Sequence, residues 1–295
     1  MGSSRKEIYF DNSATTRVFD SVRDIMTETM TADYGNTSSL HTKGVEAEQY
    51  VREARAEIAK SLRVKEKEII FTSGGTESNN LAILGTALAN RRSGNHIITS
   101  CIEHASVYNT TAFLEEQGFR VTYLPVDHNG YVSPEDLRAA ICDDTILVSI
   151  MYVNNEMGAV EPIAKLAQML RETKPQAYFH ADAIQAYGKY VIRPKKEGID
   201  LLSVSGHKIH GPKGVGFLYV DERVKIRPIL FGGGQQMGMR SGTENVPGCA
   251  GLGAAAKEIY RDHEAKVDHL YALKDRFVSG LHELEGVTVH GLTGR

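Results

Sequence analysis

Short β-branched runs alternate with helical stretches along most of the chain, and this alternation constrains the fold more than any other feature. Thr145 to Ile150 (TILVSI) is a continuous apolar run of the kind that is buried in a parallel sheet. Strand–helix alternation of this sort predicts a mostly parallel sheet covered by helices on both faces. The predicted strands are 69–72, 96–100, 120–124, 145–150, 178–181, 201–205 and 216–220.

Helical patterns fill the intervals between these strands. We predict helices over 78–89 and 106–117, and a further one from Ser133, where a serine cap precedes a proline and two acids. Pro162 opens another helix. The chain is mostly helical from about 250 to 284, and 287–290 is a candidate further strand.

Composition and charge exclude several classes of protein. A formal net charge of -3 over 295 residues argues against a nucleic-acid partner, which favours a basic surface. No apolar run approaches the roughly 18 residues of a membrane helix, and the N-terminus lacks the apolar core of a signal peptide.

Cys101, Cys142 and Cys249 are far apart and form no C-x-x-C pair, which argues against a disulfide framework or a zinc site. We interpret them as buried or incidental thiols in a reducing cytoplasm.

Ligands of parallel α/β folds bind at the carboxyl ends of the strands, so the residues that follow each strand are candidates for a site. The first strand is followed by 73–80 (SGGTESNN), whose glycines, hydroxyl and following helix are typical of a phosphate cradle. A tight turn without a ligand is the alternative. The segment lacks G-x-x-x-x-G-K-[ST], so it is not a nucleotide P-loop.

Three other strand ends carry chemically useful side chains. His104 follows 96–100 and is either structural or catalytic. Asp182 follows 178–181; it either caps a helix or, as a buried carboxylate, meets a cation. Lys208 follows 201–205 and is a candidate Schiff-base lysine. The spacing of His207 and His210 lacks the pattern of a metal site.

The combination of these strand ends predicts pyridoxal 5'-phosphate (PLP) as the cofactor. A phosphate cradle anchors PLP, and a carboxylate keeps its pyridine nitrogen protonated so that the ring acts as an electron sink. A lysine holds the aldehyde as an imine and moves protons.

The chain resembles the cysteine desulfurases among the fold-type I, aspartate aminotransferase-like PLP enzymes, from Ile8 to about Ala256. The motif R-S-G-T-E-N at 240–245 points to the NifS/IscS-like branch. The resemblance implies a large PLP-binding domain over 16–261, and part of a small α/β domain formed by 1–15 and 262–295. The matching segments are YFDNSATT (9–16), SGGTESNN (73–80), EH (103–104), VNNEMG (153–158), HADAIQ (180–185), SGHK (205–208) and RSGTEN (240–245).

This resemblance implies roles for residues around the cofactor ring. Lys208 would hold PLP covalently and shuttle protons, and His104 would stack on the pyridine ring and act as an acid or base. Asp182 would pair with the pyridinium nitrogen, and Gln185 would hydrogen-bond the phenolic oxygen. The implied phosphate ligands are Gly75, Thr76, Ser205 and His207.

The resemblance also implies substrate and partner contacts. Asn155, near the phenolic oxygen, and Asn12 would bind the substrate. Thr243 would reach the phosphate of a neighbouring subunit, so the family resemblance implies a homodimer with shared active sites.

The implied reaction converts L-cysteine to L-alanine in the cytoplasm and passes sulfur, as a persulfide, to an acceptor such as an iron–sulfur scaffold protein. The persulfide cysteine and the arginine that binds the substrate carboxylate are expected beyond Arg295, so the chain is expected to be a fragment. None of the three cysteines matches the persulfide loop, although Cys101 lies three residues before His104. The family's Asn-Pro-Ser-Ser segment reads NTSS at 36–39 here.

Two alternatives stay open. Another PLP reaction on the same scaffold, such as that of a selenocysteine lyase or a class V aminotransferase, would use the same cofactor residues. A truncated PLP-binding fragment without turnover is the second alternative. The motif at 240–245 favours a desulfurase.

Overall fold

The structure is a computed structural model that describes residues 8–291. Seven strands and nine α-helices occur within that part of the chain. The strands are β1 (Ile69–Thr72), β2 (His96–Ser100), β3 (Arg120–Leu124), β4 (Thr145–Met151), β5 (Tyr178–Asp182), β6 (Leu201–Ser205) and β7 (Gly216–Val220). The helices are α1 (Asp20–Thr31), α2 (Thr42–Leu62), α3 (Gly75–Asn90), α4 (Ala105–Glu116), α5 (Pro134–Ala140), α6 (Ile163–Thr173), α7 (Pro194–Glu197), α8 (Val246–Tyr260) and α9 (His263–His282).

All seven strands join one sheet in the order β1-β7-β6-β5-β4-β2-β3. Neighbouring strands are parallel except at β7, which runs antiparallel to both β1 and β6. The connection between Ser205 and Gly216 explains this exception, because a parallel crossover needs about a dozen residues or more. The predicted fold class, a mostly parallel seven-stranded sheet, is confirmed.

Apolar side chains fill both faces of the sheet. The α3 and α4 helices pack on one face through residues such as Leu81 and Val107. The α2, α6 and α8 helices pack on the other face through residues such as Ile58, Leu166 and Leu252. Helices therefore cover both faces, as the sequence predicts.

Some predicted bounds need correction. The α3 helix begins at Gly75, three residues before the predicted start, because the glycine turn itself joins the helix. The stretch 250–284 is two helices, separated at Asp262, whose φ is +50°. Residues 287–290 form no strand, since no described strand pairs with them. The predicted division at 16–261 stays a prediction.

None of the described helices is long and apolar enough to cross a membrane.

Candidate active site

A cavity of about 480 Å³ opens at the carboxyl ends of the parallel strands, a size suited to a small cofactor. Nine of the eleven predicted site residues line it: Gly75, Thr76, His104, Asn155, Asp182, Gln185, Ser205, His207 and Lys208. The cavity therefore brings together side chains from segments more than 130 residues apart in sequence.

Lys208 lies in a short 3₁₀ turn directly after β6 and is half-buried. Its Nζ donates hydrogen bonds to the carbonyl oxygens of Ser13 and Ala14, the second at 2.9 Å. Burial lowers the pKa of Lys208, although the carboxylates of Asp11 and Asp182 oppose this effect. A lysine with a lowered pKa has more of its amine in the unprotonated, nucleophilic form.

The N-terminal segment 13–16 closes one side of the cavity. The backbone N–H and hydroxyl of Thr16 donate to the His207 carbonyl at 2.9 and 2.8 Å. The amide Nε2 of Gln185 donates to the Ser13 carbonyl at 2.9 Å. These bonds fix the backbone directly before Lys208 and the carbonyl of Ser13, which Lys208 contacts.

Asp182 is the last residue of β5 and is 4% exposed. Its Oδ1 accepts a hydrogen bond from the backbone N–H of Ile184 at 3.0 Å, and its Oδ2 accepts one from Asn79 Nδ2 at 2.7 Å. Burial raises the pKa of Asp182 despite these two bonds. A buried carboxylate in this state is stabilised by a cation brought into the cavity.

The glycine turn shapes the opposite end of the cavity. No side chain of the described residues caps the α3 helix at Gly74, so the helix begins with uncapped N–H groups beside Ser205. A Cβ on Gly75 would lie 2.1 Å from Cδ1 of Ile184, so a larger residue at this position would have to displace that side chain. An anion is favoured at such a terminus.

His104 precedes α4 and is exposed at the cavity mouth. Its Nδ1 lies 2.8 Å from the hydroxyl of Ser106 and 3.1 Å from the backbone nitrogen of the same residue. The Ser106 hydroxyl also accepts from Asn79 Nδ2 at 2.9 Å. A chain of hydrogen bonds thus joins His104 to Asp182.

Two predicted residues do not line the cavity of their own chain. Asn12 is exposed, and its amide donates to the Tyr9 carbonyl at 3.3 Å. Thr243 is exposed on the loop 231–245. Its predicted role involves a neighbouring subunit, so its position in one chain leaves that role a prediction.

Sequence reasoning assigned no role to three buried polar groups at this site. Asn79 and Ser106 form the hydrogen-bonded chain just described, and Asn79 falls inside the SGGTESNN segment. The carboxylate of Glu103 accepts from the Ser100 hydroxyl at 2.6 Å and from the Met151 N–H at 2.9 Å. Burial raises the pKa of Glu103 to about 8.

The cysteines differ in exposure. Cys249 is buried, and burial raises its pKa, whereas Cys142 is half-buried. Cys101 is exposed, because β2 ends at Ser100 and the next residue lies in a turn outside the sheet. Cys101 is therefore not one of the buried thiols. No group of three or more metal-binding side chains occurs among the described residues.

Comparisons with known proteins agree with this architecture. The aminotransferase class-V family matches residues 8–294. "Cysteine desulfurase IscS" of Methanosarcina thermophila is 49% identical over 99% of this chain and 72% of that protein.

Two solved structures are also similar. One, described as "NIFS-LIKE PROTEIN", is 41% identical with a TM-score of 0.93, over 95% of this chain and 77% of that one. The other, "SspA in complex with cysteine", is 41% identical with a TM-score of 0.80, over 84% of this chain and 72% of that one. The chain thus belongs to the class-V aminotransferase family and, within it, to the IscS/NifS-like cysteine desulfurases.

Proposed function

We propose that this chain binds PLP at Lys208 and uses it to convert L-cysteine to L-alanine, with transfer of the sulfur to an acceptor thiol. The observation that carries the proposal is the meeting of Lys208 and the buried Asp182 in one cavity. The similarity to cysteine desulfurases supports L-cysteine as the substrate, and the SspA structure contains that amino acid.

The donor set fits PLP. The raised pKa of buried Asp182 reflects a carboxylate without a charged partner in direct contact, and a protonated pyridine nitrogen would supply one. The uncapped α3 terminus, together with Thr76, Ser205 and His207, would hold the phosphate. When bound, PLP supplies an electron sink for negative charge at the substrate Cα.

Lys208 and His104 are the groups placed to move protons. The lowered pKa of Lys208 makes its Nζ available to accept a proton from the substrate Cα and to return one at Cβ. The cavity also contains His104, whose ring we assign to stack on the cofactor, and Gln185, whose amide we assign to the phenolic oxygen.

The sulfur step balances without an external oxidant. A thiolate attacks the substrate Sγ, an S–S bond forms and the Cβ–Sγ bond breaks. One proton is delivered to Cβ, which balances the proton lost from the substrate thiol, and the proton taken from Cα is returned to Cα. The products are therefore L-alanine and a persulfide anion. Asn155 lines the cavity and is assigned to substrate binding, together with Asn12 at its periphery.

We extend the proposal to the partners and cellular location. A cytoplasmic homodimer would bring Thr243 of one subunit to the phosphate of the other. The exposed Phe231 and Met237 on the same loop support a contact there. The persulfide would pass to an acceptor such as an iron–sulfur scaffold protein.

The test is a paired product assay. The PLP-loaded chain is given L-cysteine and dithiothreitol, and alanine and sulfide are measured together. We expect equal amounts of both, and neither from Lys208→Ala. Alanine from L-selenocysteine but not from L-cysteine would identify a selenocysteine lyase instead. A change in the cofactor spectrum without alanine would identify a binding protein without turnover.

A further inference from the structure

We propose that Asn79 and Ser106 are positioning residues that hold His104 with its ring proton on Nε2 and couple its imidazole to the Asp182 carboxylate. The catalytic meaning of this proposal rests on the proposed function. Its geometric basis is a set of hydrogen bonds between α3, the start of α4 and the end of β5.

The orientation of Asn79 follows from Asp182. Asn79 is fully buried, and its amide nitrogen lies 2.7 Å from Asp182 Oδ2. An ionised carboxylate only accepts hydrogen bonds, so the nitrogen and not the oxygen of the amide must face it. The opposite atom, Asn79 Oδ1, is buried without a hydrogen-bond partner among the described residues. Such an atom is costly, and its presence indicates that the bond to Asp182 fixes the amide.

The second amide hydrogen of Asn79 determines the direction of the next bond. It points to the Ser106 oxygen at 2.9 Å, so that oxygen accepts. The hydroxyl hydrogen of Ser106 is then free to donate to His104 Nδ1 at 2.8 Å. Every hydroxyl has one hydrogen, and the chain of donors therefore runs from Asn79 through Ser106 to the ring.

The backbone reinforces the same direction. The N–H of Ser106 also points to His104 Nδ1, at 3.1 Å. Two donors aimed at one ring nitrogen require that nitrogen to be unprotonated, so the ring proton of neutral His104 lies on Nε2.

One neutral amide thus serves two groups that the proposed function places around the PLP ring. Aspartate at position 79 would set a second carboxylate against Asp182, and leucine would remove both donors. An amide is the side chain of this size that supplies two hydrogens without a charge.

The tautomer is measured directly by NMR of the full chain labelled with ¹⁵N-histidine, with and without PLP. His104→Gln identifies the His104 signals. We expect Nδ1 unprotonated and Nε2 protonated in the wild-type chain. Ser106→Ala and Asn79→Leu should each give a mixture of tautomers, and Ser106→Thr, which keeps the hydroxyl, should restore the wild-type state.

The affinity for PLP distinguishes the role of Asn79 from that of Ser106. Asn79→Leu removes a hydrogen bond to a buried carboxylate, and we expect the Kd for PLP to rise at least about tenfold. Ser106→Ala leaves that bond in place and should change the Kd less than about threefold. Asn90→Ala is the matched control, because Asn90 is a buried asparagine of α3 that donates two hydrogen bonds far from the cavity.

A proton on Nδ1 in the wild-type chain, or a wild-type tautomer in both Ser106→Ala and Asn79→Leu, overturns the proposal. If Asn79→Leu does not fold, the comparison of Ser106→Ala with Ser106→Thr decides the matter. Loss of alanine formation by the wild-type chain would refute the proposed function and leave the tautomer result intact.

Discussion

At the scale of single residues, the cavity contains a lysine that burial makes less basic and an aspartate that burial makes less acidic. Both pKa shifts arise because burial removes water from the group, which disfavours the charged form of each side chain. A cofactor that is cationic at one atom and reacts with an amine at another would relieve both costs.

Lys208→Ala tests the covalent link. We expect the variant to lose the borohydride-stable PLP adduct, because no other lysine among residues 8–291 lines the cavity. Intact-mass measurement after reduction detects the adduct. Lys213→Ala, which changes an exposed lysine five residues away, should keep it. An adduct that persists in Lys208→Ala would place the linkage on another lysine.

Glu103 predicts a dependence of stability on pH. Its pKa in the folded chain is about 8, above the ordinary value of 4.5. The folded state therefore holds a proton that the unfolded state releases, and stability falls as the pH rises from about 4.5 to 8 by at most about 1.4 kcal/mol per unit. Glu103→Gln keeps an oxygen for Ser100 and Met151 and should reduce this fall.

Urea unfolding of both proteins at pH 5.5, 6.5 and 7.5 measures the difference. The wild-type chain should lose stability relative to Glu103→Gln at each step. A constant difference across that range would mean that Glu103 is ionised in the folded chain throughout.

The site residues at strand ends could be predicted from the sequence. A glycine turn, an aspartate or a lysine directly after a predicted strand is a local signal that does not depend on the other strands. Sequence reasoning assigned no role to Asn79 or Ser106, because their partners lie 103 and 27 residues away, and no local pattern reports which of the buried amides meets a carboxylate.

At the scale of elements, the buried side chain of Gln236 ties the loop 231–245 to β1 and α2. Gln236 adopts a φ of +46° and is 3% exposed. Its Oε1 accepts from the Phe71 N–H at 2.8 Å and from Arg55 at 3.1 Å, and its Nε2 donates to Glu244 at 2.8 Å. The bond to Phe71 also occupies an N–H on the outer edge of β1, where a free strand edge would invite pairing.

Gln236→Ala should release this loop. The substitution leaves the Phe71 N–H and the Glu244 carboxylate without their partner, so we expect a loss of about 1–3 kcal/mol of stability and faster cleavage between 231 and 245. Limited proteolysis with mass mapping locates the cuts. Gln168→Ala, which removes an exposed glutamine bonded to Glu172, is the control. Equal cleavage rates in both variants would show that other contacts hold the loop.

The strand bounds were predicted to within one residue, because β-branched runs between turn residues are local signals. The direction of β7 was not predicted, because it depends on the length of the connection from β6. The α1 and α2 helices, which cover part of one face of the sheet, were also missed. Their packing against α8 is a long-range contact that the local sequence of neither helix predicts.

At the scale of the whole molecule, the proposed homodimer makes a quantitative prediction. Lys208→Ala and Thr243→Ala should each be inactive or nearly so as separate proteins. When the two are unfolded together and refolded in equal amounts, half of the dimers should be mixed. Each mixed dimer contains one site with both residues intact, so about a quarter of the wild-type alanine formation should return. No recovery in verified mixed dimers would mean that Thr243 serves its own subunit.

The place of β1 in the sheet has a consequence for how the protein is made. Thr72 pairs with Gly216, which lies 144 positions further along the chain. During synthesis, β1 therefore has no strand to pair with until β7 has been made. At a synthesis rate of about 5–20 residues per second, that wait lasts roughly 7 to 30 seconds. Throughout it an apolar strand remains unpaired on the ribosome, while β2, β3 and β4 can already assemble. Fast translation through the middle of the gene would shorten this aggregation-prone interval, and a chaperone bound to the first strand would protect the chain during it.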